Sequence, residues 1–418
     1  MTTLDPHPYT LDDRILESLR RHPFISGLFV FAVLLVVCLF GWGGGADLKP
    51  VQAEEISQPA VSGMPAVLQP EIALPTPTSQ PTSISPEFVA NFSNILPVDK
   101  PLPVIHLLFT GDINPGRCLA QAALLANDFE SPYQYVAEKL RQADLAIGSL
   151  DGSISDLVPP LPCKEVYNLI GPARTAEGLA FAGFDVITVA TNHALDCGSL
   201  GWRCDGKALE DTRKNLVGVG IAPVGIGDTL VEARTPVILE RQGIRFAFLG
   251  VNAISGEATW ATDSIPGTAP LSDAALAGVL ADIAAARAKA DVVIVLPHWG
   301  MEYTSAPDAA QQAWAAQMIA AGADLVIGNH PHIAQPVRTF PNGGVVAYAL
   351  GNFVFDQGTM ETKQGLVFEA TFRGSRLESW HLLPVRINNK FQPNWAAPLE
   401  ADAILSRIAA AESSLSAP

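Results

Sequence analysis

The sequence predicts an α/β domain with a largely parallel sheet, carried behind one apolar span and a proline-rich connector. Three observations support this. Short apolar runs of strand length alternate with helically spaced stretches from about Val104 to Pro398. An uncharged apolar run stands near the N-terminus, and prolines punctuate the chain between the two.

Residues 1–23 include Arg14, Arg20 and Arg21 and precede the run FISGLFVFAVLLVVCLFGW at 24–42. As a helix that run would span roughly 28 Å, close to a bilayer core of about 30 Å. Lys49 is the one basic residue soon after it. The charge bias therefore sets residues 1–23 in the cytoplasm and the main domain outside, as a single-pass protein of the cell membrane. A cleaved leader is the alternative, since Gly44 and Ala46 are small. The run nevertheless exceeds the roughly 7–15 apolar residues of a leader, which favours an uncleaved anchor.

From 43 to 102 the composition changes. Pro59, Pro65, Pro70, Pro75, Pro77, Pro81, Pro86 and Pro97 interrupt a stretch rich in Ser, Thr, Gln and Glu. Such a segment buries too little apolar surface to offset chain entropy and is expected to be a disordered extracytoplasmic linker.

The globular domain is expected over 103–398, with a tail at 399–418. Val104–Phe109, Leu145–Ile147, Val186–Ala190, Phe246–Gly250, Val292–Leu296, Leu325–Ile327 and Val345–Leu350 read as buried strands. Asp273–Ala288 and Asp308–Ala321 have helical spacing, the second closed by Gly322. Gly365–Thr371 and Leu377–Ile387, on either side of Gly374-Ser375, predict an antiparallel hairpin.

Composition narrows the function classes. With 48% hydrophobic residues the chain can bury a core. Its 42 Asp and Glu against 26 Lys and Arg give a formal charge of −16. No nucleic-acid partner is expected, because phosphates need a basic face.

The chemistry concentrates just after the strands. Thr110-Gly111-Asp112 leads to Gly116-Arg117, and Gly148-Ser149-Leu150-Asp151 follows the second strand. Then come Thr191-Asn192-His193 with Asp196, His298-Trp299-Gly300 with Glu302-Tyr303, His330-Pro331-His332, and Gly351-Asn352. Carboxyl ends of strands form the ligand crevice in open α/β sheets, so these groups are expected on one edge. Four of the eight histidines fall there. His330 and His332 flank a proline and can point the same way in an extended chain. Asn192-His193 can cap a helix beginning near Ala194. Mixed oxygen and imidazole donors suit a divalent ion such as Mn, Fe or Zn. Gly116-Arg117 stands at an expected helix start, where the guanidinium either holds an anionic oxygen or forms a salt bridge.

This ordered set, together with Tyr348 through Asp356-Gln357, resembles the capsule-biosynthesis protein CapA family, associated with poly-γ-glutamate synthesis, over about residues 104–390. That family is similar to the calcineurin-like metallophosphoesterases. The resemblance implies a four-layer αββα sandwich with a two-metal site. It places Asp112 and His332 on one metal, Asn192, His298 and His330 on the second, and Asp151 between them. His193 would then act on the substrate, oriented by Asp196, with Arg117 as the further catalytic candidate.

Three positions depart from the family pattern. Ser149-Leu150-Asp151 stands for Asn-Leu-Glu, Thr191-Asn192-His193 for Asn-Asn-His, and Asp112-Ile113-Asn114 for the phosphoesterases' Asp-x-His, so one or two cations are expected. The function implied is a metal-dependent hydrolase or transferase acting on an anionic polymer or a phosphate-containing substrate. The competing reading is a non-catalytic subunit working with other polymer synthesis or export proteins.

Cys38 lies in the apolar run, whereas Cys118, Cys163, Cys197 and Cys204 fall in the outer domain, where disulfides survive. Four thiols allow three pairings. Cys197–Cys204 is the local one and would leave Cys118–Cys163; buried free thiols are the alternative.

Overall fold

The computed structural model describes residues 101–159, 163 and 167–415. The expected anchor at 24–42 lies outside the described residues, as does the linker at 43–102 save Pro101 and Leu102. Among the described residues no helix is long and apolar enough to cross a membrane.

Two sheets form the frame. In the eight-stranded sheet, Val104–Ile113, Leu145–Leu150, Val186–Thr188 and Ala222–Val224 lie side by side and parallel. Gln364–Arg373, Arg376–Ile387 and Pro393–Trp395 extend it antiparallel from the other side of the first strand. The six-stranded sheet has Val292–His298 between Ile244–Asn252 and Leu325–Ile327, all parallel, with Val345–Ala347 next.

Strand alternation decides how the layers stack. Ile105, Leu107 and Phe109 of the first sheet share one core with Phe246, Phe248 and Ile294 of the second. Phe246 and Phe372 meet edge to face across it, 5.6 Å between centroids. The opposite faces carry the helices. Leu108, Ala146 and Ile187 pack with Leu140, Leu179 and Leu216 of helices Ala137–Arg141, Thr175–Ala182 and Lys207–Gly218. Leu249, Val293 and Val295 pack with Ile283 and Met318 of Leu276–Arg287 and Ala309–Ala320. Helix, sheet, sheet and helix make four layers.

Local chemistry explains the helix after His298. Asp308 accepts from the Gln311 N–H at 2.8 Å and Gln311 Oε1 accepts from the Asp308 N–H at 2.9 Å, a capping box. Gln311 also donates to Gln335 at 3.0 Å, which ties this helix to the loop beyond His332.

Three strands run further than their apolar residues predict. The first continues to Ile113, the second to Leu150 and the fifth to His298. Asn352–Val354 pairs parallel with the end of the first strand, Asp112 opposite Asn352, so polar residues there stay extended. No helix forms at Ala194. That stretch turns back so that Asp196 bridges Trp202, and Cys197–Cys204 closes the loop. The other pair is Cys118–Cys163.

The residues beyond 398 are not a tail. Pro398–Ala411 is a helix whose Ile404 and Ile408 enter the inter-sheet core, so the domain boundary expected at 398 falls too early. Ile404 is fully buried. Ile404→Ala should lower the unfolding free energy by about 2–5 kcal/mol in urea titrations; an unchanged midpoint would mean that this helix is not part of the cooperative unit.

Candidate functional site

Carboxyl ends of strands from both sheets meet at one edge of the sandwich. Asp112 lies on the last turn of pleat of its strand and His298 ends another, while Asp151, Asn192 and His330 follow theirs. His298 Nε2 is 2.8 Å from Asn192 Oδ1, 3.2 Å from His330 Nδ1 and 3.7 Å from Asp151 Oδ1. His298 Nδ1 lies 3.9 Å from Asp112 Oδ1, and His332 Nδ1 lies 3.8 Å from Asp112 Oδ2. The sequence-derived set Asp112, Asp151, Asn192, His298, His330 and His332 is therefore one cluster. His193 stands beside it with Nδ1 2.7 Å from Asp196 Oδ2.

Close backbone approach makes this possible. A Cβ on Gly111 would sit 1.9 Å from the Gly351 carbonyl, whose oxygen accepts from the Asp112 N–H at 2.9 Å. A Cβ on Gly328 would sit 2.1 Å from the Tyr348 carbonyl, which the Trp299 indole also reaches at 2.8 Å. Both positions require glycine.

The His330-Pro331-His332 segment is not extended as expected. His330 has φ 102° and His332 φ 58°, so the chain bends at each imidazole. Their ring centroids are 6.1 Å apart. Tyr303, with φ 62°, donates its N–H to Pro331 O at 2.8 Å and lays its ring 5.9 Å from that of His332. Non-glycine residues in left-handed conformations cost energy, and they gather here.

Neighbours fix the tautomers. Asn352 donates to Gln357 Oε1 at 2.9 Å and to Thr362 O at 3.0 Å, which orients its amide. Its Oδ1 then accepts from His332 Nδ1 at 2.9 Å and leaves Nε2 unprotonated. Gln357 also donates to the Tyr303 hydroxyl at 3.1 Å. Asp112 accepts from Ser149 at 2.9 Å and from the His330 N–H at 3.1 Å.

Arg117 sits at the start of helix Arg117–Ala126, but its guanidinium is committed. It pairs with Asp356, is 11% exposed, and covers Phe355. Asp356 accepts also from Asn114 at 3.1 Å and from the Cys118 N–H at 3.3 Å. Of the two roles open to Arg117, the geometry displays the ion pair.

Burial governs the electrostatics. It pushes His298 well below an ordinary imidazole and His330 down to about 3, reinforced by the other histidines. Burial, with the Asp151 charge, holds Asp112 well above the carboxylate range. Burial would also lower His193, but Asp151, Asp196 and Glu302 outweigh it and lift that imidazole to about 9. Both Asp151 oxygens, His298 Nδ1 and Asn329 Oδ1 are buried without a hydrogen-bond partner. Among the described residues no three His, Cys, Asp or Glu side chains already close on a common point in ligating geometry.

Asn329 was not a sequence candidate, although it stands between Gly328 and His330. The hydroxyl of Ser149, one of the departing positions, supports Asp112.

Residues 106–357, more than half of the chain, match the family described as bacterial capsule synthesis protein PGA_cap. The PGA biosynthesis protein CapA of Bacillus subtilis (strain 168) is 28% identical over 302 residues, 72% of this chain and 75% of that protein. The capsule biosynthesis protein CapA of Bacillus anthracis is 28% identical over 288 residues, 68% of this chain and 67% of that protein. A phosphatase structure from Mycoplasma pneumoniae superposes with TM-score 0.45 at 14% identity, over 68% of this chain and 94% of that one, a likeness too loose to bear on function.

Each buried imidazole has a signed effect on stability. His298 and His330 refuse a proton in the folded chain that the unfolded chain takes below 6.5, so stability falls as pH drops from there. Asp112, raised, opposes this over part of that acid range. His193 contributes stability that is complete below 6.5 and lost as pH rises through about 9. Chelator-treated protein should lose urea resistance between pH 6.5 and 9, and His193→Gln should remove that alkaline slope. An equal slope in the variant would show that His193 is not the group responsible.

Proposed function

Because the chain belongs to the bacterial capsule synthesis protein PGA_cap family, we propose that it is a cation-dependent hydrolase or transferase of capsule or poly-γ-glutamate biosynthesis, anchored through 24–42 and acting outside the cell. The substrate class is an anionic polymer or a phosphate-containing compound.

The observation that carries this reading is the donor cluster. Side chains from separate strand ends lie 2.8–3.9 Å apart, and both Asp151 oxygens are buried without a partner. Neutral imidazoles, an amide oxygen and carboxylates fit Mn, Fe or Zn. Asp151, Asn192, His298 and His330 would hold the cation, with Asp112 and His332 beside them. A bound cation there supplies Lewis-acid polarisation of a phosphoryl or carbonyl oxygen and acidifies water.

The protein's own groups do the rest. Asp196 accepts from His193 Nδ1, so Nε2 is the atom that presents a proton to a leaving oxygen. In the cation-free chain the neighbouring carboxylates, Asp151 foremost, raise the proton affinity of that imidazole. The Arg117–Asp356 pair ties the loop after the first strand to the one after Val354 and holds the rim in place. Substrate charge then has to be met at the cluster itself, because the chain as a whole is acidic.

The purified full-length chain should contain a divalent transition metal and turn over an aryl phosphate or poly-γ-glutamate. Chelator should abolish turnover, and Mn, Fe or Zn should restore it. His193→Gln should lower kcat about 10²–10⁴-fold with metal content unchanged, whereas exposed His381→Ala should alter neither. A chain without metal that gains no activity from these ions would favour the non-catalytic subunit.

A further inference from the structure

Resting on the reading of this edge as a substrate site, we infer that Tyr303 and Glu302 select the substrate. The Tyr303 hydroxyl and the Glu302 carboxylate together bind an alcohol hydroxyl carried next to the reacting group. The substrate class is then a phosphate ester of a polyhydroxylated alcohol such as a sugar, rather than a polymer whose side groups are all carboxylates.

Tyr303 is held in place at a cost. Its φ of 62° is left-handed backbone under a bulky side chain, and its N–H is tied to Pro331 O at 2.8 Å. The ring leaves the core that takes Trp299 and stands 54% exposed beside His332. A chain of fixed amides sets its hydroxyl. Asn352 spends its amide hydrogens on Gln357 Oε1 and Thr362 O. Gln357 then turns Nε2 toward Tyr303 and donates to its oxygen at 3.1 Å. The Tyr303 oxygen is the acceptor in that bond, so its own hydrogen points elsewhere. In the absence of substrate the adjacent Glu302 carboxylate takes it.

Glu302 is exposed, and among the described residues it has no Lys or Arg partner. Arg117 is committed to Asp356. An alcohol can meet both rim groups at once, donating to Glu302 and accepting from Tyr303. A carboxylate has no hydrogen to donate and is repelled by Glu302. The open face of the Tyr303 ring offers apolar contact to the carbon skeleton that carries the hydroxyl. Of the two substrate classes proposed above, this rim suits the phosphate-containing one.

Calorimetric titration of the purified full-length chain tests this with glucose 1-phosphate, with n-butyl phosphate, which lacks hydroxyls, and with poly-γ-glutamate. Glucose 1-phosphate should bind at least about tenfold tighter than butyl phosphate, the worth of one hydrogen bond to a charged group. Poly-γ-glutamate should bind no tighter than butyl phosphate. Tyr303→Phe, which keeps the ring, and Glu302→Gln should each cut the margin between the two esters to about twofold or less. Equal affinity for the esters, variants that weaken both by one factor, or tighter binding of poly-γ-glutamate would overturn the inference and leave the proposed function standing. A preserved margin without turnover of any probe would overturn the hydrolase reading alone, and no binding of either ester would overturn both.

Discussion

A carboxylate buried with neither oxygen hydrogen-bonded is costly, and Asp151 is held in that condition at the meeting point of two sheets. Most other features of the edge serve to keep it there. Glycines at 111 and 328 let the backbones close in, the polar ends of three strands stay extended, and two imidazoles sit on left-handed backbone. None of these is the cheapest local arrangement. They persist because the four-layer core beneath, from Ile105 to Phe372, fixes the strand ends against each other.

The cluster is built in concentric contacts. Innermost are Asp151, His298, His330 and Asn192. Around them, Ser149 and the His330 N–H hold Asp112, Asn352 holds His332, and Gln357 joins Asn352 to Tyr303. A separate brace of Asn114, Arg117 and Asp356 holds the loop after the first strand. Disulfides begin one residue beyond Arg117 and one beyond Asp196. Both loops are therefore stapled close to Arg117 and to the Asp196–His193 pair.

Much of this was legible in the chain. The parallel strands and the hairpin follow from apolar runs, and the site residues from the polar groups at their ends. What escaped depends on partners distant in sequence. The apolar pattern breaks at Thr110, yet the strand continues because Asn352, far along the chain, pairs with Asp112. His330 and His332 read as extended until their φ values show bends. Arg117 has two possible roles until Asp356, 239 residues on, is seen to claim it. The final helix was hidden by a short, alanine-rich pattern whose Ile404 and Ile408 matter only once the sheets leave a gap for them.

X-ray absorption of the metal in the purified full-length chain tests the central claim most directly. The account predicts two imidazole nitrogens at about 2.0–2.1 Å with oxygen donors completing the shell, and loss of one imidazole in His330→Ala. A shell of oxygen alone, one containing sulfur, or a spectrum unchanged in that variant would contradict it.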